Sequence, residues 1–182
     1  LGELFGTVRQ VANEGRSVIE SSLISAQFPN RAQFLDKMAQ RKEQPTIEDI
    51  RQVWLLLQQE MTESSKITKT TLDVITAQGI VEQRDVTRVG VFSAFSDGKF
   101  LRYLPETGNL VELGRQPVDR LRDIVMEFES TENVSSVVVD PTRGAIMNLL
   151  VQAPDLKERI QQGGWIGFII LFIGAVGLLI AL

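Results

Sequence analysis

Apolar residues recur at intervals of three, four and seven along the first 66 residues, as in helices that bury one face. The first predicted helix covers residues 3–27, and a second, shorter one follows Asn30, which is its predicted cap. A third begins at Thr46 and Asp49, whose spacing resembles a capping box. Its predicted core stripe is Ile47, Ile50, Trp54, Leu57 and Met61. Residues 1–66 are therefore predicted to form a helical hairpin or small bundle.

The periodicity changes at Ile67, where apolar and polar residues begin to alternate as they do in strands. Asp97-Gly98 separates two apolar stretches, which is the signature of a tight hairpin with a type I′ turn. We predict an antiparallel meander of four or five strands, then a helix over residues 118–129 and a short strand over 135–139. Residues 67–153 are thus predicted to form an α+β domain in which helices cover a small sheet.

The segment from Gly163 to Leu182 contains no charged side chain. As a helix it measures roughly 30 Å, which is the hydrocarbon thickness of a bilayer. A helix satisfies its own backbone hydrogen bonds and can therefore cross lipid alone. A buried core helix is the alternative, but the rest of the chain has no comparably apolar surface to cover it. We predict a transmembrane helix over residues 163–182, preceded by an amphipathic connector over 154–162.

Small residues recur along one side of this predicted span. They allow helix backbones to approach closely, which favours packing against other membrane helices. The predicted packing residues are Gly163, Gly167, Gly174, Gly177 and Ala181. The alternative is that glycine is simply frequent in membrane helices. Trp165, near one end of the span, is the predicted interfacial anchor.

The composition narrows the possible functions of the 182-residue chain. It contains no Cys and no His, so thiol chemistry, the Ser-His-Asp triad and the usual zinc ligands are excluded. Its net charge of −4 offers no basic field for nucleic acid. Glu60 and Glu63 are a candidate pair of catalytic carboxylates, but we interpret them as part of a solvated helix face. We expect a protein that is not an enzyme and that has no cofactor and no metal site.

Several runs of residues along the chain are typical of one family. They include Leu4-Phe5-Gly6, Ser22 to Pro29, Arg88 to Phe92, Ser96 to Leu101, Val139-Asp140-Pro141 and Arg159 to Gly164. Together they resemble the N-terminal extension of the long MotA/TolQ/ExbB-family proteins of the TtpC type, which occur in TonB systems of Gram-negative bacteria. The resemblance covers essentially the whole chain, and no single motif in it is catalytic.

The resemblance implies that residues 163–182 are the first membrane helix of a proton-channel domain, and that the channel's polar residues lie on later helices. It also implies a periplasmic location for the N-terminal part, at the bacterial inner membrane. Family members form pentamers and work with ExbD-like and TonB-like proteins, so a homo-oligomer is expected. We interpret the sequence as a piece of such a protein, with a scaffolding or docking role in TonB-dependent outer-membrane transport. The alternative is a membrane-anchored periplasmic sensor or ligand-binding module.

Overall fold

The structure is a computed structural model that describes residues 2–131, 133–142, 144–146 and 164–181. The chain divides into two compact units, Leu1–Met147 and Asn148–Leu182. In the first unit, helices precede a five-stranded sheet, so the predicted α+β class is confirmed. The helical region and the sheet belong to this same unit.

Four helices precede the sheet: α1 (Gly2–Glu20), α2 (Ile24–Gln27), α3 (Arg31–Gln40) and α4 (Ile47–Ser64). The first predicted helix is thus interrupted after Glu20. The capping box of α4 is confirmed, because the Asp49 N–H donates to Thr46 Oγ1 at 3.1 Å and the Thr46 N–H donates to the Asp49 carboxylate at 2.8 Å. The hydrogen bonds from Thr46, followed by the charge of Arg41, lower the pKa of Asp49. Asn30 lies at the N-cap position of α3 as predicted, but its backbone is left-handed (φ 66°) and its side chain makes no capping bond.

The core stripe predicted for α4 is wrong at four of its five positions, because only Leu57 packs against the helical core. Ile47, Trp54 and Met61 are 86%, 58% and 69% exposed. The buried positions of α4 are Val53, Leu56, Glu60 and Glu63. Val53 and Leu56 join the helical core, whose other buried members are Ala12, Ile19, Leu35 and Met38. Helix α4 therefore has two neighbouring apolar faces. Helices α1 and α3 cover the face that carries Val53 and Leu56, and most of the predicted stripe stays exposed.

The predicted meander is confirmed, with five strands: β1 (Ile67–Ile75), β2 (Val81–Val89), β3 (Ser93–Ser96), β4 (Lys99–Leu104) and β5 (Asn109–Glu112). Consecutive strands are antiparallel. The sheet also closes on itself, because β5 pairs with β1 in parallel through Val74↔Leu110 and Ile75↔Val111. In a meander with an odd number of strands the first and last run in the same direction, so closure requires one parallel pair.

The predicted hairpin turn lies between β3 and β4. Asp97 and Gly98 have φ angles of 53° and 71°, as a type I′ turn requires of both central residues. A Cβ at Gly98 would lie 2.2 Å from Met126 Cγ, so the turn packs against the following helix, α5 (Asp119–Ser130). The hairpin and α5 are thereby placed against one another.

The sheet has an apolar layer on each face. Inside, Leu23 from the link between α1 and α2 packs with apolar residues of all five strands. Outside, Val125 of α5 packs on Phe95 and Phe100, whose rings meet edge to face at 5.0 Å. Val137 and Val138 join this outer layer, but residues 135–139 are not in a strand, so that prediction is wrong.

The second unit contains helix α6 (Gly164–Ala181), within the predicted span. Its 18 residues measure about 27 Å at 1.5 Å per residue. Residues 163 and 182, and the predicted connector over 154–162, lie outside the described residues. Over the described ranges, no helix qualifies by length and apolar character as one that could cross a membrane.

Candidate functional site

A group of buried polar and charged side chains lies where the helices meet the sheet. We call this group the ionic cluster; its members are Ser22, Ser25, Arg31, Glu60, Glu63 and Arg88. The two arginine side chains are each only 5% exposed. Buried charges are costly unless paired and hydrogen-bonded, so the partners of each group determine what the cluster can do.

The first half of the ionic cluster is a network within the helical region. Arg31 Nη1 donates to Glu60 Oε2 at 2.8 Å, and Arg31 Nη2 donates to Ser25 Oγ at 2.9 Å. The other carboxylate oxygen of Glu60 accepts from Ser22 Oγ at 2.5 Å, and Arg31 Nε donates to the carbonyl of Phe28. This half therefore ties α4 to the start of α3 and to the segment between α1 and α2.

The second half of the ionic cluster joins α4 to the sheet. Arg88 on β2 donates through Nη2 to Glu63 Oε2 at 3.0 Å, and through Nη1 to the carbonyls of Glu63 and Gly90. Lys66 Nζ donates to Glu63 Oε1 at 2.6 Å, and this bond is the largest cause of the lowered pKa of Glu63. Burial lowers the pKa of Arg88, and the charge of Glu63 opposes that shift.

The interpretation of Glu60 and Glu63 as a solvated face is therefore wrong. Both are 8% exposed, and each of their four carboxylate oxygens accepts a hydrogen bond from a protein side chain. Carboxylates held in this way position neighbouring elements and are poorly placed to take a proton from a substrate. The spacing of Glu60 and Glu63 places them on the same helix face as Val53 and Leu56, and this was the signal in the sequence for their burial. The partners were not predictable, because Arg31 and Arg88 lie 29 and 25 residues away in sequence.

A cavity of about 480 Å³ opens beside the ionic cluster, between the start of α3 and the turn from β4 to β5. Ser25, Arg31 and Tyr103 line it, and burial raises the pKa of Tyr103. Its volume is in the range of small-molecule sites. All three guanidinium nitrogens of Arg31 donate hydrogen bonds to protein atoms, so a ligand in the cavity would have to compete with these acceptors for Arg31.

A second feature, on the outside of the helical region, is an exposed apolar surface. We call it the apolar face; it consists of Val11, Val18, Ile47, Ile50, Trp54 and Met61. The first two residues lie on α1 and the other four on α4. Exposed apolar side chains mark interaction sites where they form a contiguous patch.

Elsewhere, Glu129 of α5 is a half-buried carboxyl at the β3–β4 hairpin. Its Oε2 accepts the Gly98 N–H at 2.7 Å. Burial is the largest cause of its raised pKa, and the charge of Asp97 adds to the shift. Among the described residues, no group of three or more His, Cys, Asp or Glu has the arrangement of a metal site.

The raised pKa of Glu129 predicts a pH-dependent stability. The folded chain binds more protons here than the unfolded chain, so this carboxyl lowers the free energy of unfolding as pH rises from the unfolded pKa through the folded one. Glu129→Gln keeps an acceptor for Gly98 and removes the charge. We expect this variant to be more stable than the parent at pH 7 and as stable as the parent below about pH 4.3. Urea unfolding followed by circular dichroism measures both.

The control for this experiment is Glu127→Gln, which removes the same charge from an exposed position of the same helix. Its stability should differ from the parent by no more than about 0.5 kcal/mol at either pH. A Glu129→Gln variant that is less stable at pH 7 than at pH 4, relative to the parent, would contradict the assignment.

The predicted membrane-helix residues lie mostly in α6. Gly167, Gly174, Gly177 and Ala181 are in the helix, and Gly163 is outside the described residues. A Cβ at Gly174 or Gly177 would meet no atom within 4 Å, so these two positions leave open space beside the helix. The predicted anchor Trp165 is 86% exposed.

Comparison of the chain with protein families, curated proteins and solved structures gives no match.

Proposed function

We propose that this chain is the periplasmic docking domain, with the first membrane helix, of an ExbB/TolQ-like proton-channel subunit that energises TonB-dependent outer-membrane transport. In this proposal the domain is a scaffold and not an enzyme, and it is held at the bacterial inner membrane. Its partners are further copies of itself, ExbD-like and TonB-like proteins and the lipid bilayer. The proposal rests on the sequence resemblance together with the physical features of the two units.

The observation that carries the proposal is the composition of α6, which follows a folded domain in the chain. This helix has no charged residue over 18 positions, and its described large side chains Ile170, Phe172 and Ile173 are exposed. Exposed apolar side chains in such number favour a lipid or helical environment over water. The 18 described residues of the helix measure about 27 Å, close to the roughly 30 Å of a bilayer core.

The ionic cluster supports a scaffolding role for the first unit. It engages its carboxylates with arginine, lysine and serine side chains and thereby joins the helices to the sheet. A docking domain must transmit force without changing shape, and buried, satisfied polar networks make a fold rigid. The sensor alternative has the 480 Å³ cavity in its favour, but Arg31, the buried charged residue that lines it, is already paired with Glu60.

The test compares two variants of the full-length protein in a bacterium whose TonB-dependent uptake depends on it. Deletion of residues 1–153 is expected to abolish uptake while the membrane part still assembles. Replacement of Gly167 and Gly174 by Leu is expected to disrupt the oligomer, because the larger side chains keep helix backbones apart. Uptake of a labelled substrate and the oligomer size in detergent are the two measurements.

A matched control for the glycine variant is the double replacement of Ile170 and Ile173 by Leu, which keeps α6 equally apolar. Normal uptake after the deletion would show that the domain is dispensable and would overturn the docking role. An unchanged oligomer in the glycine variant would remove the proposed packing surface and leave the docking role to be judged by the deletion alone.

A further inference from the structure

We propose that residues 81–85 of β2, which we call the open edge, bind an extended segment of a partner protein as an added strand, with a basic side chain in the acidic cavity at the end of this edge. The inference rests on the docking role proposed above and adds the chemistry of what the domain binds. Three features of the first unit carry it: an unpaired stretch of strand, a cavity beside it and the charges of that cavity.

Strand β2 is flanked by a strand along its whole length on one side and along part of its length on the other. Strand β1 pairs with all nine residues of β2, whereas β3 pairs with the last three, residues 87–89. Strand β3 ends at Ser96 and the chain then turns at Asp97-Gly98. Within the described part of the chain, no strand therefore lies on the second side of residues 81–85, and four of these five residues are exposed.

The backbone groups of the open edge point away from β1. Hydrogen-bonded pairs alternate with non-bonded pairs along two antiparallel strands. The Thr76 N–H donates to the Ile80 carbonyl at 2.8 Å, and the Gly90 N–H donates to the Lys66 carbonyl at 2.9 Å. Both bonds join even-numbered residues, so the N–H and C=O groups of residues 81, 83 and 85 face outwards. Such a row of backbone groups is the template for recognition by strand addition.

A cavity of about 380 Å³ opens where the open edge meets the β3–β4 hairpin. Asp85, the last residue of the open edge, lines it together with Asp97 of the turn and Glu129 of α5. An added strand would extend along β2 beyond the turn. Its residue opposite Gln83 projects to the same face as Asp85, so a long side chain there reaches the cavity.

The charges of the cavity favour a basic side chain. Among the described residues that line it, Asp85, Asp97 and Glu129 are carboxylates and Lys69 is the one cation. Burial raises the pKa of Glu129 and the charge of Asp97 adds to the shift, so these two carboxylates destabilise one another. A guanidinium or ammonium group beside them relieves this repulsion. Charge complementarity therefore selects a basic segment over an acidic one.

Peptide binding to the full chain in detergent tests the added strand and its charge separately. The probe is a fluorescein-labelled peptide, Thr-Val-Thr-Arg-Thr-Val-Thr, followed by fluorescence polarisation. The same peptide with Glu in place of Arg should bind at least about 10-fold more weakly, because it brings a further carboxylate to the cavity. A peptide N-methylated at every residue keeps the side chains but cannot donate to the open edge, and it should also bind at least about 10-fold more weakly.

A proline in the open edge tests the backbone contact from the side of the protein. Gln83→Pro removes an outward N–H and leaves the bonds to β1 in place, so binding of the Arg peptide should fall at least about 5-fold. The control is Ile67→Pro, at the first residue of β1, where proline is tolerated. It should bind the Arg peptide within about twofold of the parent. Circular dichroism shows whether each variant is folded.

Neutralising the cavity tests the preference for a basic side chain. Asp97→Asn/Glu129→Gln keeps a residue type suited to the left-handed turn and an acceptor for the Gly98 N–H. It should bring the affinities of the Arg and Glu peptides to within about twofold of each other. The control, Glu106→Gln/Glu127→Gln, removes two exposed carboxylates elsewhere and should keep the preference.

Equal binding of the Arg and Glu peptides to the parent would overturn the proposal, and so would equal binding of the N-methylated peptide. Peptide binding that appears only after residues 148–162 are deleted would make this chain's own segment the occupant. Self-association that Gln83→Pro abolishes would make it a second copy, and either result would overturn a partner segment. Selective peptide binding with normal uptake after deletion of residues 1–153 would keep the open edge as a binding site and overturn only the docking role. Loss of uptake in that deletion without selective peptide binding would overturn only the open edge.

Discussion

Replacing Glu60 by alanine should lower the free energy of unfolding by about 3–5 kcal/mol. The change leaves the guanidinium of Arg31, 5% exposed, without its carboxylate, and it leaves Ser22 without its acceptor. An uncompensated buried cation is among the largest single destabilising effects known for point substitutions. Since a typical domain is stable by only about 5–15 kcal/mol, much of the total stability would be lost. Urea unfolding of the full chain in detergent, followed by circular dichroism, is the measurement.

Two further variants show whether burial of charge is the reason. Glu20→Ala breaks the exposed Arg16–Glu20 pair on α1 and should cost less than about 1 kcal/mol. The double change of Arg31 to Met and Glu60 to Leu removes both charges and should recover most of the loss seen in Glu60→Ala. If Glu60→Ala lowers the free energy of unfolding by no more than Glu20→Ala does, the ionic cluster is hydrated and does not join the helices to the sheet.

Replacing Gly90 by alanine should cost about 3 kcal/mol or more, for two additive reasons. Gly90 has a φ angle of 56°, where a side chain costs about 1–2 kcal/mol. A Cβ there would also lie 2.3 Å from the carbonyl oxygen of Ser64, which is backbone and cannot rotate away. The Gly90 N–H donates to the carbonyl of Lys66, and the Gly90 carbonyl accepts from Arg88. The substitution therefore separates β2 from the end of α4, at the second half of the ionic cluster.

Gly108→Ala is the matched control for the close contact between a Cβ at Gly90 and the carbonyl oxygen of Ser64. Gly108 has a φ angle of 71°, and a Cβ there would meet no atom within 4 Å. It should therefore show only the conformational cost of about 1–2 kcal/mol. Equal losses in the two variants would mean that strand β2 and α4 do not approach as closely as the structure places them. The same urea unfolding experiment compares both.

Local signals predicted local structure well. The capping box needs only Thr46 and Asp49, three residues apart, and the hairpin needs only Asp97-Gly98 between two apolar stretches. Alternation of apolar and polar residues likewise identified the strands of the meander. These signals succeed because the interactions that they report form within one turn or between neighbouring strands.

The two wrong predictions for helix α4, its core stripe and its solvated carboxylates, have a common cause. Its sequence contains two apolar faces, and the pattern alone favours the one with Ile47, Trp54 and Met61. The structure buries the other, because α1 and α3 pack on Val53 and Leu56 and because Glu60 and Glu63 find arginine partners there. A periodicity reports which residues share a face and cannot report which neighbour covers it.

The sequence by itself determined the α+β class, the order of helices before strands, the hairpin turn and the uncharged helix after them. The tertiary structure alone decided the closure of the sheet through β1 and β5, the burial of Glu60 and Glu63 and the exposure of the apolar face. The first group depends on contacts between residues close in sequence. The second depends on contacts between residues 25 or more positions apart, and such contacts are set by how the whole chain packs.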